Sequence, residues 1–250
     1  MKNTKAIFIK QIRSLIKSPA MIGQGIFFAV VVLVMTFLMG PERECDVCIP
    51  AYVCETCLRE NPLHSLPTPT IAGLFTVMFV GMALMSSSSG LVQEDKTTHN
   101  LRFMTMAGMK PFQYLVGTAS ALFIMTIPIL FLFAMVGRYF GGDTLWFLII
   151  ATSGAIVSIL FGIAMGLSKA PGLAYPISMI IGFGPMFSSF NENLARWMHF
   201  TYTQQINLGI YHLGKGEGGN LPRMFMILGV SAVVILLAFV WMHRKGELRW

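Results

Sequence analysis

The sequence contains few charged residues: Asp, Glu, Lys and Arg make up 12% of its 250 residues, about half of the share that soluble domains carry. Hydrophobic residues make up 55%, and the mean hydropathy is +0.68. A soluble fold of this size could not cover so much apolar surface with 18 basic and 11 acidic side chains. The composition excludes an ordinary soluble enzyme, a disordered chain and a coiled coil, and it predicts an all-α membrane protein that crosses the bilayer several times.

Charge is absent from long stretches of the chain. Six segments have the roughly 20 mostly apolar residues that a membrane-spanning helix needs, and the one charged residue among them is Arg223, at the edge of the last. We therefore expect a single transmembrane domain over residues 1–250 with six transmembrane helices. The segments are residues 20–39, 70–91, 112–137, 145–167, 173–190 and 222–242.

Basic residues are distributed unevenly between the segments that join these spans. With the N-terminus inside, the cytoplasmic segments carry 12 Lys and Arg and three acidic residues, whereas the outer segments carry six and eight. Because basic residues favour the cytoplasmic side, we expect both termini in the cytoplasm and the protein in the cell membrane, the plasma membrane of a bacterium. No basic patch with interleaved aromatic residues is present, so no nucleic-acid partner is expected.

Residues 1–18 have the pattern of an amphipathic helix. A separate face carries Lys10, Arg13 and Lys17, and such basic side chains face lipid phosphates when a helix lies in the membrane interface. The segment is therefore predicted to be an elbow helix at the membrane surface. Its apolar residues recur at helical spacing: Phe8, Ile9, Ile12, Leu15 and Ile16.

Residues 92–111, between the second and third spans, combine a charged start with an apolar continuation. Glu94 and Asp95 favour a helix N-terminus, whereas Gly108 and then Pro111 favour a helix end. A short cytoplasmic helix of this kind can dock into a groove on a partner, and the alternative is a solvated linker that only joins two spans. One side of the helix would carry Leu101, Met104 and Gly108.

The same region carries a recurring order of residue types: an acidic residue after the second span, a Thr, a Leu, a Gly and Pro stop, then an aromatic residue and a Gly that enter the third span. This order resembles that of permeases of the type-2 ABC transporter family. The likeness extends over almost the whole chain, through the amphipathic helix, the six spans and a short outer helical region at residues 191–221. The matching residues are Glu94, Thr97, Leu101, Gly108, Pro111, Tyr114 and Gly117.

The resemblance implies the permease subunit of an ATP-driven exporter that moves a hydrophobic or amphipathic substrate, such as a lipid, peptide or drug, outward. It implies two cytoplasmic ATPase subunits that bind ATP and Mg, together with a second permease copy or a paralogue. The chain itself is then no enzyme and needs no catalytic residue and no cofactor, and its neighbours include membrane lipid. The implied ATPase-coupling residues are Glu94, Asp95, Thr97, Leu101, Met104 and Gly108.

Two absences concern the source of energy. The segment from Gly209 to Gly216 nearly matches a phosphate-binding loop, but Gly216 stands where the motif needs Ser or Thr. No Asp, Glu, Lys or Arg lies in the centre of a predicted span, which argues against an ion-coupled pump. Energy is therefore expected to come from a partner.

Cysteine is confined to one predicted outer loop, residues 41–68, as Cys45, Cys48, Cys54 and Cys57. The spacing C-x2-C-x5-C-x2-C suits two nested disulfides, and it equally suits a zinc site with four thiolate ligands. Redox-active pairs are a third interpretation. They would make the chain a membrane thiol–disulfide oxidoreductase that passes electrons to a quinone, the alternative to the permease.

Two motifs of small residues lie within predicted spans. Gly162 and Gly166 have the G-x3-G spacing that lets helix backbones approach closely in lipid, either within one chain or between two copies. A run of four serines from Ser86 to Ser89 lies near the cytoplasmic end of the second span. Its hydroxyl groups either bond back to their own helix or line a polar path.

Overall fold

A computed structural model of the protein describes residues 2–17, 20–39, 68–106, 108, 110–168, 170–188, 196–214 and 221–244. Within these ranges the chain is helical and contains no strand, which confirms the predicted all-α class. The four cysteines lie outside the described residues. The disulfide, zinc and redox interpretations of that loop therefore stay predictions.

The helices are named here in chain order. The chain from residue 68 to residue 97 forms one continuous helix that contains a π-helical segment. It is continuous because Met78 and Met85, on either side of that segment, keep right-handed helical backbone angles. The elements are α1 (Lys2–Lys17), α2 (Ala20–Met39), α3 (Thr68–Met78), the π segment (Phe79–Leu84), α4 (Met85–Thr97), α5 (Asn100–Met106), α6 (Pro111–Val136), α7 (Gly142–Leu167), α8 (Ala174–Ser188), α9 (Tyr202–Gly214) and α10 (Leu221–Arg244).

Four of the six predicted spans form helices that are long and apolar enough to cross a membrane within the described residues. They are Ile71–Thr97, Pro111–Val136, Gly142–Leu167 and Leu221–Trp241. The other two predicted spans correspond to α2, with 20 residues, and to α8, with 15. A fifth crossing is formed if the bent pair of α1 and α2, inclined at 54°, is one span.

Helix α1 packs along α6 and contributes to the core of the protein. Ile7, Gln11 and Leu15 are buried on this face, so the buried stripe is rotated from the one that the sequence predicts. Gly117 of α6 makes the contact close, because a Cβ atom there would lie 2.9 Å from Cβ of Ile7. Much of the apolar face of α1 is therefore covered by protein.

Helices α4 and α7 pack most closely at the G-x3-G motif. A Cβ atom on Gly166 would lie 2.8 Å from Cβ of Val92, and one on Gly162 would overlap Ser88 Oγ and the Met85 carbonyl oxygen. Both glycines thus face a helix of the same chain. Of the two interpretations of this motif, packing within the chain is the one that the structure confirms.

Helix α9 belongs to the predicted outer region at residues 191–221, and it is inserted among α3, α7, α8 and α10. Its side chains Ile206 and Ile210 are fully buried. Gly209 lies within this helix, so the segment that resembles a phosphate-binding loop is helical up to Gly214.

Candidate functional site

The end of the helix bundle that carries α5 holds a buried carboxylate, Asp95, whose side chain lies on α4. Only 4% of Asp95 is exposed. Its Oδ2 atom accepts hydrogen bonds from Gln11 Nε2 at 2.6 Å and from the Tyr114 hydroxyl at 2.9 Å. Its Oδ1 atom pairs with Lys10 Nζ. One carboxylate therefore joins α1, α4 and α6, and we call these four residues the Asp95 cluster.

A carboxylate in this position needs such partners, because burying an unpaired charge costs several kcal/mol. The cluster supplies one positive charge and two neutral donors from two other helices. This placement corrects the role that the sequence suggested for Lys10. That residue was expected to face lipid phosphates with Arg13, and instead it is the counter-ion of Asp95, whereas Arg13 is exposed.

The sequence pattern predicts that Glu94 and Asp95 begin the short helix, and this prediction is wrong. They lie in the last turns of α4, whose end is closed by Thr98: its backbone N–H donates to the Glu94 carbonyl at 3.0 Å and its Oγ1 at 2.7 Å. A turn follows at Thr98 and His99, and φ of His99 is +58°. Acidic residues favour a helix N-terminus by only about 0.3–1 kcal/mol, so the hydrogen bonds and charge of the Asp95 cluster outweigh that local preference.

The short helix α5 has seven residues and two apolar sides. Leu101 is 1% exposed, and Met104 packs against the core. On the other side, Phe103 and Met106 are each 68% exposed. Leu101 and Met104 therefore contact their own chain, and the outward side of α5 carries Phe103 and Met106.

Sequence spacing could not have chosen between these two sides. Leu101 and Met104 are three residues apart, and so are Phe103 and Met106, so both pairs form a helical stripe. What decides between them is the core surface beneath the helix, which only the folded chain presents.

The remaining predicted coupling residues lie on the surface around α5. Thr97 is exposed, and its Oγ1 donates to the Glu94 carbonyl at 3.0 Å. Gly108 is exposed with φ at +76°, a conformation that glycine adopts without steric cost. The structure therefore agrees with a helix end before Gly108, and Pro111 begins α6.

The described residues contain no group of three or more His, Cys, Asp or Glu side chains placed to hold a metal ion. The four cysteines are not among those residues, and their chemistry stays a sequence-based hypothesis. Comparisons of the chain with protein-family models, with curated proteins and with solved structures found no match.

Proposed function

We propose that the chain is the permease subunit of an ATP-driven exporter of the type-2 ABC class, which moves a hydrophobic or amphipathic substrate outward across a bacterial cell membrane. The observation that carries the proposal is helix α5. It is a short helix between two candidate spans, anchored inward by Leu101 and presenting Phe103 and Met106 outward. This is the form that a contact helix for a separate ATPase requires.

In this proposal the α5 end is cytoplasmic, α1 is the elbow helix, and α2 and α8 complete six spans. Two ATPase subunits contact two permeases, which are copies of this chain or a paralogue, and ATP with Mg binds to the ATPases. Closure of the ATPases presses on α5 and favours one of two arrangements of the spans.

In this proposal the contacts of the Asp95 cluster transmit the displacement of α5 to the other helices. Asp95 lies five residues before α5 along the chain and contacts Lys10 and Gln11 on α1 and Tyr114 on α6. A displacement of α5 is therefore transmitted to three helices that share one carboxylate. The buried Leu101 stiffens the connection, because its side chain ties α5 to the core.

In this proposal, burial of the exposed apolar side chains of α5 supplies the affinity for the ATPase. Covering one exposed Phe or Met side chain contributes about 1.5–3 kcal/mol, and buried anchors of this kind dominate protein interfaces. Phe103 and Met106 lie beyond the ends of the candidate spans, so in this proposal they face water until a partner covers them.

The test is co-purification of an ATPase with the tagged, full-length chain from its own host. Phe103→Asp and Met106→Asp should each weaken ATPase binding by about 2 kcal/mol or more, which is roughly thirtyfold. Transport should fall with binding, and both variants should stay folded because the side chains are exposed. The matched control is Phe140→Asp, since Phe140 is 64% exposed in the turn at the other end of α6.

Leu101→Asp should behave differently from the two exposed positions. It places a charge at a buried site and should reduce the yield of folded protein before it affects docking. If both exposed variants retain the ATPase and transport normally, α5 is a linker and the proposal is wrong.

A further inference from the structure

A cleft of about 330 Å³ opens at the α5 end of the bundle, where α1 and α2 face α4 and α8. The floor of the cleft is apolar and is formed by the largely buried side chains of Leu15, Met21 and Leu91. The rest of the lining comes from Ser14, Gln24, Ser86, Ser87, Gly90, Glu94 and Tyr175, and Glu94 is the only acidic side chain among the described residues that line the cleft. No basic side chain is among the described residues that line the cleft. The cleft therefore has an apolar part and a negatively charged part.

Two further features concern the negative charge of Glu94. Glu94 lies near the C-terminal end of α4, where the helix dipole adds partial negative charge. The lysines on either side of it contact other groups: Lys10 pairs with Asp95, and Lys96 Nζ donates to the Ser168 carbonyl at 3.3 Å. Among the described residues, neither of these lysines pairs with the exposed carboxylate of Glu94, which leaves it open to a ligand.

The run of four serines divides between the core and this cleft. Ser88 and Ser89 are buried against α7, whereas Ser86 and Ser87 line the cleft. Ser86 Oγ donates to the Ala83 carbonyl at 3.1 Å, so its oxygen is left as an acceptor toward the opening. Hydroxyl oxygens beside a carboxylate suit a ligand that donates hydrogen bonds or carries positive charge.

We propose that this cleft binds an amphipathic organic cation, with its apolar body against Leu15, Met21 and Leu91 and its positive charge beside Glu94. The further idea that the cleft is where the exporter takes up its substrate rests on the proposed function. In that case the substrate would be an amphipathic organic cation. Binding itself requires only this chain.

Gly90 keeps the cleft open. It lies on α4 between Ser87 and Glu94 on the lining, and a Cβ atom built on it meets no other atom within 4 Å. A larger side chain would therefore enter the cleft without displacing the backbone. Gly90→Leu therefore adds bulk in the cleft at a position where the Cβ atom is not blocked.

The experiment measures binding of radiolabelled tetraphenylphosphonium to the purified full-length chain in nanodiscs of neutral phosphatidylcholine, with empty nanodiscs subtracted. Tetraphenylborate has the same shape and the opposite charge and should bind more weakly. Glu94→Gln should weaken binding of the cation about tenfold, which is about 1.4 kcal/mol, because it removes a carboxylate charge next to the bound cation. Gly90→Leu should weaken it at least as strongly.

Matched controls lie away from the cleft. Gly229→Leu on α10 makes the same substitution at a glycine with equally open space, and Asp143→Asn removes an exposed acidic charge at the start of α7. Both should bind the cation like the parent chain. If Gly90→Leu does not yield monodisperse protein, the isosteric Glu94→Gln decides the outcome.

Equal binding of the cation and the anion would overturn the inference, and so would unchanged affinity in Glu94→Gln and Gly90→Leu. The experiments also distinguish a failure of the cleft inference from a failure of the proposed exporter function. An ATPase that co-purifies with a chain that binds no cation contradicts the cleft alone. Cation binding by a chain that retains no ATPase supports the cleft and contradicts the exporter.

Discussion

Two regions of the molecule hold their helices together by different chemistry. At the α5 end, the single carboxylate of Asp95 joins three helices through one ion pair and two hydrogen bonds. Around α9 the buried groups are neutral. The Tyr202 and Ser158 hydroxyls lie 2.8 Å apart, and Thr203 Oγ1 donates to the Ile181 carbonyl at 3.0 Å. Each of these neutral contacts joins only two helices.

The difference concerns how much of the structure depends on a single side chain. A neutral hydrogen bond contributes about 1 kcal/mol and is lost separately from its neighbours. Removing one member of a buried ion pair costs about 3–5 kcal/mol, because the remaining groups stay buried without partners. The Asp95 cluster is therefore the point at which the loss of one side chain affects three helices.

The largest effect is expected from Asp95→Ala. It leaves the Gln11 amide and the Tyr114 hydroxyl buried without their carboxylate, and it leaves Lys10 without a counter-ion. We expect a loss of about 3 kcal/mol, at the low end of the range for broken buried pairs, since the Lys10 side chain is 36% exposed. Thermal unfolding in detergent measures it, with Glu94→Ala as the exposed control. A variant within about 0.5 kcal/mol of the parent, the usual effect of surface changes, would show that Asp95 does not anchor this end.

Gly162→Ala tests the close contact between α4 and α7. The new Cβ atom would overlap Ser88 Oγ and the Met85 carbonyl oxygen, so the helices must separate at a cost of about 2 kcal/mol. Gly229→Ala is the control, because a Cβ atom there meets nothing within 4 Å. Unfolding curves that rank the two variants equally would contradict close packing at Gly162.

A smaller effect is expected from Tyr202→Phe in the neutral region. The substitution removes the hydroxyl that contacts Ser158 and should cost about 1 kcal/mol. A double-mutant cycle with Ser158→Ala isolates this contact, and the two losses should be less than additive. Strictly additive losses would mean that the two hydroxyl groups do not interact.

The smallest effect appears only at alkaline pH. Burial raises the pKa of Tyr202 and of Tyr139 above the ordinary value, which is about 10. The folded state therefore favours the neutral phenol, and this stability is fully present below about pH 10 and is lost as pH rises toward the folded pKa. Ultraviolet difference absorbance should show these tyrosines ionising only as the chain unfolds, and Tyr202→Phe should lose less stability above pH 10. Ionisation of Tyr202 at its ordinary pKa in the folded chain would contradict its burial.

Much of the fold could be predicted because its signals are local. The charge-free runs around residues 70–91, 112–137 and 145–167 correspond to helices in the structure, with bounds shifted by a few residues. The end of the short helix before Gly108 was also predictable, since glycine there adopts a positive φ. The partners of Lys10 and the exposed side of α5 were not predictable, because they depend on residues that are distant in the sequence.

The sequence by itself determined that this chain is helical and rich in segments long enough to cross a membrane, because composition and hydrophobic run length act on each segment separately. The tertiary structure alone decided that Leu101 is an anchor and Phe103 is exposed, that Gly162 faces α4, and that Asp95 binds α1 instead of starting α5. Each of these outcomes depends on which surface another helix presents. A buried charge or a close glycine contact has a large free energy only when that surface is in place.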